Sequence, residues 1–292
     1  MAAIESISID TGEYAFSARA AGPESGRTVF LLHGFPQTSY AWRHVMGALG
    51  DAGYRAVAPD QRGYAEGARP EGVEHYRMPF LVGDVLAMAD SMGAHQIDLV
   101  GHDWGGAVAW NVAGRHPERL RTVTAVSTPH PAAFTDAIRS SAAGGEAASD
   151  QAERSSYMLF FRQEGVAETT LLGPDGDGAG LRNLYLGSGL AAEEADEYVR
   201  VLTQPGALTG GLNWYRAVDI GDVEGLGPIV TPCLYVWSTE DVALGRDAAE
   251  ATAQYVKGEY RFEVLDGISH WIPEKAPDEL SRLLLEHLAT HG

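Results

Sequence analysis

The stretch Asp98-Leu99-Val100-Gly101-His102-Asp103-Trp104-Gly105-Gly106-Ala107-Val108-Ala109 constrains this chain more than any other. A short apolar run, Ile97 to Val100, reads as a buried strand. The composition then switches to Gly105, Gly106, Ala107, Ala109 and Ala113, small residues that suit a helix lying close on a sheet. Asp103 sits between the two, with Gly101 and Gly105 two residues away on either side. A strand that turns sharply into a helix leaves no room for a Cβ at those flanks, so glycine is wanted there. The pattern predicts a carboxylate on the tip of a strained turn, with the helix N-terminus directly behind it.

Around this turn, strand and helix patterns alternate. Ile4 to Asp10 and Tyr14 to Ala20 alternate apolar and polar residues, as an edge hairpin does. Thr28 to Leu32 is a continuous apolar run ending in His33-Gly34-Phe35-Pro36, the pattern of a buried parallel strand that feeds a loop. Ser39 is an N-cap candidate for a helix from about Tyr40 to Leu49. Tyr54 to Ala58 and Leu120 to Val126 read as strands, Pro79 to Met92 as a helix. Strands separated by helices of this length indicate a mostly parallel sheet with helices on both faces.

The rhythm breaks after Ser127. From Pro129 to about Ala217 no buried strand is legible; helix-like patches (Arg154 to Phe161, Ala191 to Leu202) alternate with glycine-rich loops. It resumes with a strand at Pro232 to Trp237, a helix from about Arg246 to Val256, a strand at Tyr260 to Leu265 and a last helix from Pro277 to Leu288. The expected organisation is an α/β core over residues 1–128 and 218–292 with an inserted helical cap, or lid, over 129–217.

With 292 residues and 45% hydrophobic content, the chain can bury one large core with a lid. No apolar stretch of about twenty residues exists and no basic-then-apolar leader is visible, so neither a membrane span nor a signal peptide is expected. The single cysteine, Cys233, excludes an internal disulfide framework and a cysteine-rich metal site. A net charge of −19 argues against nucleic acid or an anionic membrane as partner. These features fit a cytoplasmic enzyme or binding protein whose oligomeric state stays open, a homodimer included.

The Asp103 turn, the His33-Gly34-Phe35-Pro36 loop, Asp241 after the Cys233 to Trp237 strand, and Gly267-Ile268-Ser269-His270-Trp271 together resemble the α/β-hydrolase fold. Within it they resemble the epoxide hydrolase branch, over nearly the whole chain. The order nucleophile, acid, histidine (Asp103, Asp241, His270) is the order that fold uses. Aspartate at the turn shifts the expected chemistry away from esterases. Serine attack on a saturated carbon would leave an ether, which water does not readily cleave. Carboxylate attack gives an ester, which activated water cleaves at the Asp103 carbonyl carbon.

The resemblance implies that His270 activates that water and that Asp241 orients the imidazole, with neighbouring Glu240 as the competing acid. It makes the backbone N–H groups of Phe35 and Trp104 the oxyanion hole. It also implies two lid tyrosines that hold the ring oxygen, because an alkoxide leaving group needs a proton donor. Tyr157 in Ser156-Tyr157-Met158-Leu159-Phe160-Phe161 and Tyr215 in Leu212-Asn213-Trp214-Tyr215-Arg216 match those surroundings. Phe134, Met158, Phe160, Phe161, Leu212, Trp214 and Ile272 are candidates for an apolar substrate pocket.

The implied reaction takes a small apolar epoxide and water to a vicinal diol, with no cofactor and no metal. The alternatives are a haloalkane or haloacid dehalogenase with the same nucleophile, and a non-catalytic small-molecule receptor on the same fold. Phe35 stands where haloalkane dehalogenases often carry asparagine, and Trp104 and Ala107 stand where fluoroacetate-type dehalogenases carry two arginines. A receptor has no need to keep Asp103, Asp241 and His270 together.

Overall fold

The computed structural model describes residues 2–143, 149–217 and 226–291. The chain begins with β1 (Ile4–Asp10) and β2 (Ala15–Ala21), an antiparallel hairpin whose burial alternates as its polar and apolar residues do. Then come β3 (Thr28–Leu32), α1 (Arg43–Asp51), β4 (Arg55–Pro59), α2 (Met78–Ser91), β5 (Ile97–His102), α3 (Trp104–Arg115) and β6 (Leu120–Val126). After the cap, the core closes with β7 (Cys233–Glu240), α11 (Arg246–Ala251), β8 (Tyr260–Ser269), α12 (Ile272–Lys275) and α13 (Pro277–Thr290), where α4 to α10 are the intervening helices given below.

Among the described residues, eight strands form one sheet in the order β1-β2-β4-β3-β5-β6-β7-β8, parallel from β4 to β8. The continuous apolar runs at β3, β4 and β5 are buried on both faces, as parallel strands covered by helices require. Helix α3 lies directly behind β5 and β6. A Cβ added to Gly101 would stand 2.0 Å from the Gly105 carbonyl oxygen, and one added to Gly105 would stand 2.3 Å from that of Leu32. Both flanking glycines are therefore demanded by close approach, as the sequence pattern predicts.

Between β6 and β7 lie α4 (Pro131–Ala143), α5 (Gln151–Arg154), α6 (Tyr157–Phe161), α7 (Val166–Leu172), α8 (Ala179–Gly187), α9 (Ala192–Leu202) and α10 (Ala207–Ala217). No strand interrupts them among the described residues. The expected return to the core at residue 218 falls in 218–225, outside the described residues. Helix α10 is buried along nearly its whole length, and the Trp214 Nε1–H donates to the Arg62 carbonyl at 2.9 Å, fastening the cap to the loop after β4.

Several local expectations change. The helix expected from Arg246 to about Val256 ends at Ala251 and passes into a 3₁₀ turn over Thr252–Tyr255. The one expected from Arg154 to Phe161 is broken between α5 and α6. The helix after β3 opens as a 3₁₀ turn, Ser39–Trp42, capped by Thr38, whose hydroxyl oxygen accepts from the Tyr40 N–H at 3.3 Å. Ser39 instead spends its backbone N–H on Asp60, at 2.8 Å. Strand β8 runs four residues beyond Leu265, to Ser269, because the Ser269–Glu240 pairing resumes after a register shift in β7. Among the described residues no helix is long and apolar enough to cross a membrane.

Candidate active site

Asp103 caps the turn between β5 and α3 with φ 52° and ψ −120°. Positive φ is costly for a residue with a Cβ, so the surroundings must hold it there. They do: the Asp103 carbonyl accepts from the Thr128 hydroxyl at 2.7 Å and the Ala107 N–H at 3.1 Å. Its side chain leans over the loop after β3. There Oδ1 accepts the Phe35 N–H at 2.8 Å, and the backbone N–H of Trp104 also bonds the carboxylate. A Cβ on Gly34 would lie 2.3 Å from Oδ1, so this approach requires glycine. Burial pushes the Asp103 pKa up, while the nearby His270 charge and the two N–H donors hold it back.

His270 follows β8. Its Nδ1 lies 2.8 Å from Asp241 Oδ2, and its Nε2 lies 3.7 Å from Asp103 Oδ2. Asp241 is buried, and its Oδ1 accepts the N–H groups of Ala243 and Leu244, each at 2.9 Å. Glu240 is exposed at the end of β7, so the structure brings Asp241 and not Glu240 to the imidazole. Burial disfavours the imidazolium, but Asp241, then Asp103 and Glu274, outweigh it and raise His270 to about 9.

Tyr157 on α6 and Tyr215 on α10 meet above this carboxylate, with their rings edge-on and 6.3 Å apart. The Trp104 ring packs edge-on against Tyr215, with ring centres 5.1 Å apart. Burial, and in smaller part the Asp103 charge, pushes both phenols well above the usual tyrosine range. They are neutral acids at any working pH.

The aromatic surround is dense. Phe161 lies 5.0 Å from Phe35, 5.0 Å from Tyr215 and 5.4 Å from Tyr157, ring centre to ring centre. Trp214 packs edge-on at 5.8 Å from Trp104. Met158 and Phe160 are partly buried against the same cluster, while Leu212 and Ile272 are fully buried. Phe134, on α4, is half-buried and makes none of these ring contacts among the described residues.

Two groups of polar residues at the site escaped sequence reasoning. Cap helix α5 grips the loop after β7. The Arg154 guanidinium donates to the Asp241 carbonyl at 2.6 Å. The Gln151 amide donates to the Ala243 carbonyl and accepts the Gly245 N–H, both at 2.7 Å. Behind His270 lie buried Gln37, His102 and Glu274. Polar residues inside runs that otherwise read as core were the available signal, and it identified no partners. Among the described residues no group of three or more His, Cys, Asp or Glu side chains could hold a metal ion.

Such an arrangement offers one free carboxylate oxygen, a hydrogen-bonded second oxygen, an imidazole aligned by an acid, and two neutral O–H donors opposite. It can alkylate a carboxylate and then hydrolyse the ester. A family model described as alpha/beta hydrolase fold matches residues 27–277. Epoxide hydrolase A of Mycobacterium tuberculosis is 35% identical, covering 96% of this chain and 96% of its own length. The AB hydrolase superfamily protein YfhM of Bacillus subtilis is 34% identical with the same coverage on both sides, 96%. The crystal structure of epoxide hydrolase A from Mycobacterium thermoresistibile superposes with a TM-score of 0.84 at 33% identity, over 98% of each chain.

Proposed function

The chain belongs to the epoxide hydrolases of the α/β-hydrolase fold, and from that premise we propose that Asp103, His270, Asp241, Tyr157 and Tyr215 convert an epoxide to a vicinal diol in this site. Asp103 Oδ1 is held by the Phe35 N–H, which leaves Oδ2, on the His270 side, as the attacking atom. Oδ2 bonds to the less hindered ring carbon, the C–O bond breaks, and the ring oxygen takes the Tyr157 proton while Tyr215 supports it.

Alkylation removes the Asp103 charge, one of the groups that raise His270. The imidazolium then releases its proton to solvent, to be regained when the Asp103 charge returns, and meanwhile can act as base. It takes a proton from water as the oxygen adds to the Asp103 carbonyl carbon. Charge gathers on Oδ1, which already accepts the Phe35 N–H, with the Trp104 N–H as the second proposed donor. Collapse releases the diol with the former Oδ2, protonated from His270; the second water proton restores Tyr157.

The observation that carries this reading is the pair of neutral phenols facing Asp103. A halide leaving group needs only weak donors, whereas an alkoxide needs an acid. We place the cap at 129–217 between core segments 1–128 and 218–292. Phe161, Trp214, Met158, Phe160, Leu212 and Ile272 are its proposed apolar pocket, with Phe134 as an outlying candidate.

A single turnover in ¹⁸O-labelled water tests the covalent route. The first diol should carry unlabelled oxygen, delivered from Asp103; label in that first product refutes it.

A further inference from the structure

The imidazole of His102, on the residue just before the turn, is fully buried beneath His270, with ring centres 4.7 Å apart. Its Nε2 lies 2.8 Å from the His270 carbonyl oxygen, which also accepts the Ile272 N–H at 2.9 Å and the Ser127 hydroxyl at 3.2 Å. A carbonyl only accepts, so His102 holds a proton on Nε2. Its Nδ1 lies 2.8 Å from Gln37 Oε1, and the Nε2 end of that amide lies 2.7 Å from Glu274 Oε1. Tyr198 donates to the same Oε1 at 2.5 Å, while Oε2 is buried with no partner among the described residues.

An amide has one donating and one accepting end, so it ties the proton states of its two neighbours together. With its oxygen toward His102, the ring must be an imidazolium and Glu274 a carboxylate. With its NH₂ toward His102, the ring is neutral and Glu274 must supply a proton to the amide oxygen. Either way the two groups hold one exchangeable proton between them. Resting on the reading of His270 as the base, we propose that Glu274 and His102 share a single proton across Gln37, and that this proton keeps His102 Nε2–H bonded to the His270 carbonyl.

The neutral arrangement, reached by turning the Gln37 amide over end for end, is the favoured one. A buried ion pair across an amide would face low dielectric on both sides. A carboxylate would also leave a charged Oε2 bare, whereas a carboxyl leaves only a neutral oxygen so. Burial lowers His102 well below the usual histidine range, with His270 and His33 as further opposing neighbours. The groups facing Glu274 are Tyr198 and Glu194 on α9, Tyr185 on α8, Arg43 on α1 and His270 after β8. Arg43 is ion-paired to Glu194, and burial dominates, raising Glu274 to about 7. The Gly34 N–H approaches the amide at 3.4 Å, too far to dictate its orientation.

Loss of the shared proton breaks the chain. The ionised Glu274 draws the amide NH₂ to itself, the amide oxygen turns to His102, and the neutral ring moves its proton to Nδ1. A bare Nε2 then faces the His270 carbonyl, and the base loses one of its backbone anchors. His102, Gln37 and Glu274 are thus positioning residues that act through His270, and activity should fall as pH rises through the ionisation of Glu274.

The test is kcat against pH for the wild type, Glu274→Gln and Gln37→Met, with ¹⁵N NMR of His102. Glutamine at 274 mimics the protonated acid, so its alkaline fall should move up by about one pH unit or more. Gln37→Met should lower kcat by about tenfold and flatten the dependence. In the wild type the His102 ring should be neutral and protonated on Nε2 below the transition. An imidazolium there, or an alkaline limb unmoved in Glu274→Gln, overturns the proposal. Solvent oxygen in the first diol would instead defeat the reading of Asp103 and His270, and the NMR result would stand apart from it.

Discussion

At the scale of single residues, the proposed mechanism divides its two half-reactions between different side chains, and substitutions should separate them. His270→Gln leaves Asp103 able to attack but removes the base. Mass spectrometry of that variant should find about one equivalent of alkylated protein, with turnover reduced by about 10⁴-fold or more. Tyr157→Phe and Tyr215→Phe should each slow ester formation by about 100-fold, with little effect on its hydrolysis, as measured in stopped flow. Much of this site is legible in sequence because backbone approach leaves glycine behind: Gly34, Gly101 and Gly105 mark where Asp103 must sit. The choice of Asp241 over Glu240 is less legible. It depends on which way the chain turns after β7, and a register shift intervenes there.

At the scale of elements, the acid loop is completed by the cap. Asp241 grips the loop from inside with Oδ1, and Gln151 grips it from outside through Ala243 and Gly245. Gln151→Leu leaves a buried carbonyl and a buried N–H unpaired, at a cost of about 1–3 kcal/mol for each group. It should lower Tm and also cut kcat more than it raises KM; a change in Tm alone would mean that the loop holds itself. No sequence pattern announces these bonds, because their partners stand 92 and 94 residues apart and neither side carries a periodic signal. The strands and helices of the core were readable for the opposite reason: each repeats its own period locally.

At the scale of the whole molecule, two buried groups make stability depend on pH in the same direction. An unfolded Glu274 ionises near 4.5 and the folded one near 7. The fold therefore carries no cost from it below 4.5 and the full cost, about 3 kcal/mol, above 7. His270 is raised from 6.5 to about 9, so its contribution is complete below 6.5 and lost as pH rises through 9. The protein should melt at a lower temperature at pH 9.5 than at pH 5.5. Glu274→Gln should melt close to wild type at pH 4.5 and above it at pH 8; an equal gap at both would contradict the raised ionisation.

The hold of α5 on the loop after β7 bears on how far this architecture is modular. Exchanging the inserted helices for those of a relative would alter substrate range, and it would also remove the tether of Asp241. A graft that replaces Gln151 and Arg154 therefore swaps specificity at the expense of the alignment of His270, so the exchangeable part of the cap begins at α6 and leaves α5 in place.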